Sequence, residues 1–128
     1  MLVYPALFLF GGAAYMMLEL LWRRRTHWSM GILGGLAFLL LFLVFSRIGA
    51  GQLILKGAIG AVLITALEFL TGAVVNIKYK WNVWDYSALR FNLYGQVCLI
   101  YSGLWFFLSI GIALIVQAAA PLVFSSGL

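Results

Sequence analysis

Four long apolar runs, separated by short polar connectors, make up almost all of this chain. They fall at about residues 2–22, 28–46, 57–76 and 93–118. Each reaches the roughly 20 residues that a helix rising 1.5 Å per residue needs to cross ~30 Å of hydrocarbon. Strict alternation of apolar and polar positions is absent, which argues against a transmembrane barrel. Backbone inside a bilayer must satisfy its own hydrogen bonds, so the runs are predicted to be helices. The expected fold is all-α, a polytopic four-helix membrane bundle forming a single domain over residues 1–128. The longest connector is about sixteen residues, too short for a soluble domain.

Composition strengthens this reading. Hydrophobic residues make up 66% of the chain and charged ones only 9%, where a soluble domain carries about a quarter. A small globule cannot bury that much apolar surface, and lipid must cover the excess. The first run lacks a basic leading region and has its positive charges after it, so it is expected to be a retained helix rather than a signal peptide.

Charge then sets orientation. The first and third connectors hold Arg23, Arg24, Arg25, Lys78, Lys80 and Arg90, against Arg47 and Lys56 on the other side. By the positive-inside rule those connectors are cytoplasmic and both termini outside. The same rule accounts for the net charge of +5, so no nucleic-acid partner is expected. One cysteine, Cys98, and one histidine, His27, cannot build a thiolate or structural zinc site. No phosphate-cradling glycine loop is present; no metal or cofactor is expected, and any ATPase would be a separate chain.

Polar residues within the runs carry the chemistry. Thr65, Glu68, Gly72 and Asn76 fall on one helical face, as do Gly12, Tyr15, Glu19 and Trp22. Glu68 sits ~12 Å from the helix end. An unpaired charge there costs about 2.5 kcal/mol or more, so Glu68 is expected to face the bundle interior, protonated or paired. Glu19 precedes Arg23 by four residues and can pair with it, or can share a cavity with Glu68. Gly31 and Gly35 form a G-x-x-x-G, a close-approach surface within the bundle or across a dimer; Cys98, Ser102, Trp105 and Ser109 share one face of the last run, where small and polar residues favour helix packing. Arg23, Arg24, Arg25 and His27 either anchor the chain at the headgroup level or form a subsite for an anionic group.

The third connector contains "WNVWDYSALRFN", residues 81–92. Its aromatics suit an interface, while Asp85 and Asn92 are plausible caps, with Asn92 opening the last helix. The stretch from "ALEFLTG" through "WDYS" to "FNLYGQ" resembles the Putative ABC-transporter type IV (CmpB-like) family. The resemblance rests on Glu68, Thr71, Gly72, Trp84, Asp85, Tyr86, Ser87, Asn92 and Gly95, and extends to Glu19 and the "HWSMGILGG" stretch. It covers about three quarters of the chain. An Asn-Arg-Gly-Phe-Leu motif and a proline-rich second helix, found in many members, are missing, which marks a divergent branch. The resemblance implies a small bacterial four-helix membrane protein connected with transport.

Three functions compete. The leading one is a membrane-embedded binding or transport component for a small molecule or lipid headgroup, with Glu19, Glu68, Asn76, Trp84, Asp85, Tyr86 and Asn92 as candidate ligand contacts. A homo-oligomer or a partner membrane subunit would complete its pathway. Gly31, Gly35, Gly72, Gly95 and Ser102 are the expected packing positions. The alternative is a non-catalytic accessory protein that uses its small-residue faces to place another complex. A lipid-modifying enzyme is third, since acid–base chemistry needs two groups converging on substrate and no such constellation is legible.

Overall fold

The computed structural model describes residues 2–49 and 51–125, and in it the four apolar runs are helices. We label them α1 (Val3–Arg23), α2 (Trp28–Phe45), α3 (Leu53–Gly72) and α4 (Leu99–Ser125). A π-helical turn, Ala73–Lys78, prolongs α3 without a break. All four are long and apolar enough to cross a membrane. Large apolar side chains such as Leu9, Ile32, Val62 and Phe107 project outward from them, as a lipid solvent allows. The fold is an all-α membrane bundle. Residues 1 and 126–128, on which the expected placement of the termini falls, lie outside the described residues.

Three boundaries differ by several residues from the sequence reading. α3 begins at Leu53 rather than Gly57, so Lys56 belongs to its first turn and is buried instead of lying in a connector. The apolar residues Leu53, Ile54 and Leu55 extend the helix, and the left-handed Gln52 (φ 45°) starts it. α4 begins at Leu99, not Leu93. Residues 92–98 instead form a small antiparallel hairpin, β1 (Asn92–Leu93) with β2 (Val97–Cys98), pairing Asn92 with Cys98 and Leu93 with Val97. Its turn has positive φ at both Tyr94 (54°) and Gly95 (72°) and is closed by Gln96 N–H donating to Leu93 O at 3.0 Å. Left-handed backbone at successive positions fits a tight hairpin and cannot continue a right-handed helix. At its far end α4 continues past Ala118 through Pro121.

Packing follows the small residues. α1 lies along α2, α3 lies along α4, and α2 touches both α3 and α4. A Cβ on Gly12 would sit 2.6 Å from Gly31 O, and one on Gly35 would sit 2.6 Å from Phe8 O, so helix backbones meet there directly. The G-x-x-x-G is therefore used inside the bundle, between α1 and α2. On the α3–α4 side, Thr65 Oγ1 and Ser102 Oγ share a hydrogen bond of 2.8 Å, and Gly60 gives way to Ser109. Leu41, Phe42, Phe45, Ala113 and Val116 form the buried centre. By contrast, α1 hardly approaches α4.

Candidate functional site

The two connectors that carry most of the positive charge meet at one end of the bundle. Arg24 takes a left-handed conformation (φ 60°) and turns the chain at the end of α1. Arg23 and Arg25 then reach across: Arg23 Nη2 donates to Val83 O at 3.0 Å, and Arg25 Nη2 donates to Asn82 O at 3.2 Å. His27 Nδ1 accepts from Ser29 N–H at 3.1 Å and caps α2. The side chains of Arg23, Arg25 and His27 thus hold protein groups, which weakens their claim to be a free anion subsite. The arginine donors bind backbone carbonyls of the third connector and, from Arg23, the Glu19 carboxylate.

The third connector is fastened from within. Asn76, carried by the π-helical turn, accepts from Val83 N–H at 2.7 Å and donates to Gln96 Oε1 at 2.8 Å. Trp84 is buried and donates its indole N–H to Gln96 O at 2.9 Å. Asn92 donates to Leu89 O at 2.7 Å and accepts from Gly95 N–H at 3.0 Å. Each asparagine amide, half-buried, serves a donor on one side and an acceptor on the other. Gly72 makes room for the Gln96 side chain, and Gly95 for Asp85. Asp85 itself is exposed and accepts from Ser87 N–H at 2.9 Å, which holds its carboxyl below the usual range. The W-D-Y-S block turns on the Asp85–Ser87 contact and delivers two side chains inward, Trp84 to Gln96 and Tyr86 to the buried acids.

Tyr86 leads to the buried acids. Its hydroxyl donates to Glu68 Oε2 at 2.8 Å, while Trp105 Nε1 donates to Glu68 Oε1 at 3.1 Å. Burial first, and then the neighbouring Glu68 carboxyl, push the Tyr86 phenol above its usual value. One turn of α1 away from Trp22, Glu19 accepts from Tyr15 Oη at 2.9 Å and from Arg23 Nη1 at 3.3 Å. Glu19 is therefore ion-paired as the i, i+4 spacing predicts. Glu68 is different: it is 1% exposed and both of its donors are neutral.

These groups line the seam that α1 and α4 leave between them. A cavity of about 230 Å3, walled by Phe10, Phe38, Leu41, Ile64 and Ile112 among others, reaches Glu68. A second, of about 370 Å3, runs toward the connectors past Glu19, Arg23, Tyr86 and Tyr101. Tyr15, Leu18, Trp105 and Leu108 line both, so the two are joined at one waist. Four rings follow one another there: Tyr15 to Trp105 at 6.2 Å, Trp105 to Tyr101 at 6.1 Å, and Tyr101 stacked on Tyr86 at 4.8 Å.

Of the residues expected to contact a ligand, the structure brings Glu19, Glu68 and Tyr86 to this groove. Asn76, Trp84 and Asn92 fasten the connector, and Asp85 stays at its surface. Sequence reasoning grouped Tyr15 with Glu19, and Trp105 with the packing face of α4, but gave neither a role at a site. A usable signal existed: an indole N–H inside an apolar run needs an acceptor, and Glu68 offers one from another run. Gln96 could not be found, because its role depends on the hairpin.

The model of the family described as "Putative ABC-transporter type IV" matches residues 1–126. No curated protein and no solved structure matches the chain.

Proposed function

The chain belongs to the Putative ABC-transporter type IV family, and from that premise we propose that it is a membrane-embedded binding component whose ligand occupies the α1–α4 seam. The observation that carries this reading is the groove itself. It lies between two membrane-crossing helices and meets a buried carboxyl, Glu68, at its waist. Ligand sites in membrane proteins gather such groups because an ionisable residue is costly elsewhere in the bilayer. The ligand would move in sideways from the bilayer, between α1 and α4.

The connector end is the cytoplasmic end in this proposal, on the strength of the arginine and lysine bias, with the termini outside. The function proposed is binding rather than catalysis, since neither Ser87 nor His27 lines the groove: His27 Nδ1 caps α2 and Ser87 lies in the exposed turn with Asp85. Energy for any transport step would come from a separate ATPase chain, and a second copy or a partner subunit would complete the pathway. A purely accessory role is less well supported, because the G-x-x-x-G surface it would use is consumed between α1 and α2.

Native mass spectrometry of gently extracted protein tests the proposal. The wild type is expected to retain a small amphiphile that the Glu68→Gln variant loses while remaining folded. An identical mass spectrum for both, free of adducts, would contradict it.

A further inference from the structure

The groove's chemistry narrows its ligand, provided that the groove is a binding site as proposed above. We infer that the ligand is a lipophilic organic cation, an ammonium head carried on an apolar tail.

The chain holds three acidic residues, and the structure gives each a different situation. Asp85 is exposed in its turn and Glu19 is paired with Arg23. Glu68 is buried against two neutral donors, the Tyr86 hydroxyl and the Trp105 indole. Each carboxylate oxygen has further acceptor capacity beyond the single bond it takes here. Among the described residues no positively charged side chain bonds to Glu68, the nearby Arg23 being paired with Glu19, and a cationic ligand would offset the cost of its charge in the bilayer.

The rings supply the second half of the match. Tyr15, Trp105, Tyr101 and Tyr86 form a continuous aromatic wall around the waist. Aromatic faces attract cations within about 6 Å of the ring centre, and such cages are well suited to quaternary ammonium groups. An anionic head would meet the carboxyls of Glu19 and Glu68, and the one cation among the described residues that lines the groove, Arg23, is already held by Glu19 and by Val83 O. A neutral head could donate to Glu68, as Tyr86 and Trp105 do, but would bring no charge to offset that of the carboxylate. Beyond Glu68, the 230 Å3 cavity is lined almost wholly by aliphatic and phenyl groups, which fits a hydrocarbon tail and no polar extension.

Binding to the protein in phosphatidylcholine nanodiscs, corrected for empty discs, tests the inference with three probes of one tail length. These are dodecyltrimethylammonium, dodecyl sulfate and dodecyl maltoside. The ammonium probe is expected to bind saturably, at least tenfold tighter than the other two. Glu68→Gln should cut its affinity by about tenfold and leave the maltoside unaffected. Tyr101→Leu, which touches no hydrogen bond of Glu68, should weaken the ammonium probe several-fold and covers the event that Glu68→Gln misfolds. Equal affinities for all three probes, or equal losses in the variants, would overturn the cation assignment while leaving the groove as a site for tails. Absence of saturable binding by every probe, with a second copy of the chain cross-linked across the seam, would overturn the site itself.

Discussion

Helix α1 has two neighbouring seams built on opposite rules. Against α2 it presents glycines, and backbone meets backbone at Gly12 with Gly31 and at Gly35 with Phe8. Toward α4 it presents Tyr15, Leu18 and Glu19, and the helices stay apart except where the Tyr15 and Trp105 rings meet. In lipid no hydrophobic force presses helices together, so close approach depends on dispersion contacts and hydrogen bonds. Small residues supply the first kind of seam. Large rings and a carboxyl hold the second one open. The same helix thus fixes the scaffold with one face and offers a site with another.

Substitutions should separate the two seams. The largest effect is expected from Gly12→Leu, because no side chain fits where Cβ would already lie 2.6 Å from Gly31 O. Overpacking of this kind costs about 1–3 kcal/mol, occasionally more, and thermal denaturation in detergent should show a clear fall in midpoint or loss of folded protein. Next is Asn76→Ala, which strands Val83 N–H and frees Gln96. A buried donor left unpaired costs about 1–3 kcal/mol, and accelerated proteolysis in the third connector would report it. Trp105→Phe keeps a ring at the waist but removes the N–H bond to Glu68. It is expected to alter ligand affinity by severalfold while moving the denaturation midpoint less than Asn76→Ala does. The smallest effect, and of opposite sign, belongs to Gly111→Ala on α4. Nothing lies within 4 Å of its Cβ position, so the gain is the helix preference for alanine, up to about 1 kcal/mol. A strongly destabilised Gly111→Ala would mean that the outer face of α4 is covered by another chain.

How much of this could be read in the sequence varies with the kind of residue. The helices were legible because apolar runs of bilayer length have one stable solution. Glu68 facing inward was legible from its depth, and the Glu19–Arg23 pair from its spacing. The hairpin at 92–98 was hidden, since "NLYGQVC" reads as the polar start of a helix until two residues adopt left-handed backbone. That hairpin places Gln96 under Asn76 and Trp84, so the connector's fastening was hidden with it. The open seam was least legible of all. It arises from which helices pair, a property of the whole bundle and not of any one run. Tyr15 and Trp105 are far apart in sequence and acquire a shared role only when α1 and α4 face each other.

The most direct test of the open seam is photo-crosslinking in native membranes with p-benzoylphenylalanine at Leu108, in the groove, and separately at Ile32, on the outer face of α2. The Leu108 probe is expected to capture an amphiphile that excess dodecyltrimethylammonium displaces, whereas capture at Ile32 should be ordinary lipid that the same competitor leaves unchanged. Indifference of the Leu108 adduct to competition, or a crosslink from Leu108 directly into α1, would mean that the seam is closed or merely lipid-bathed and would contradict the account.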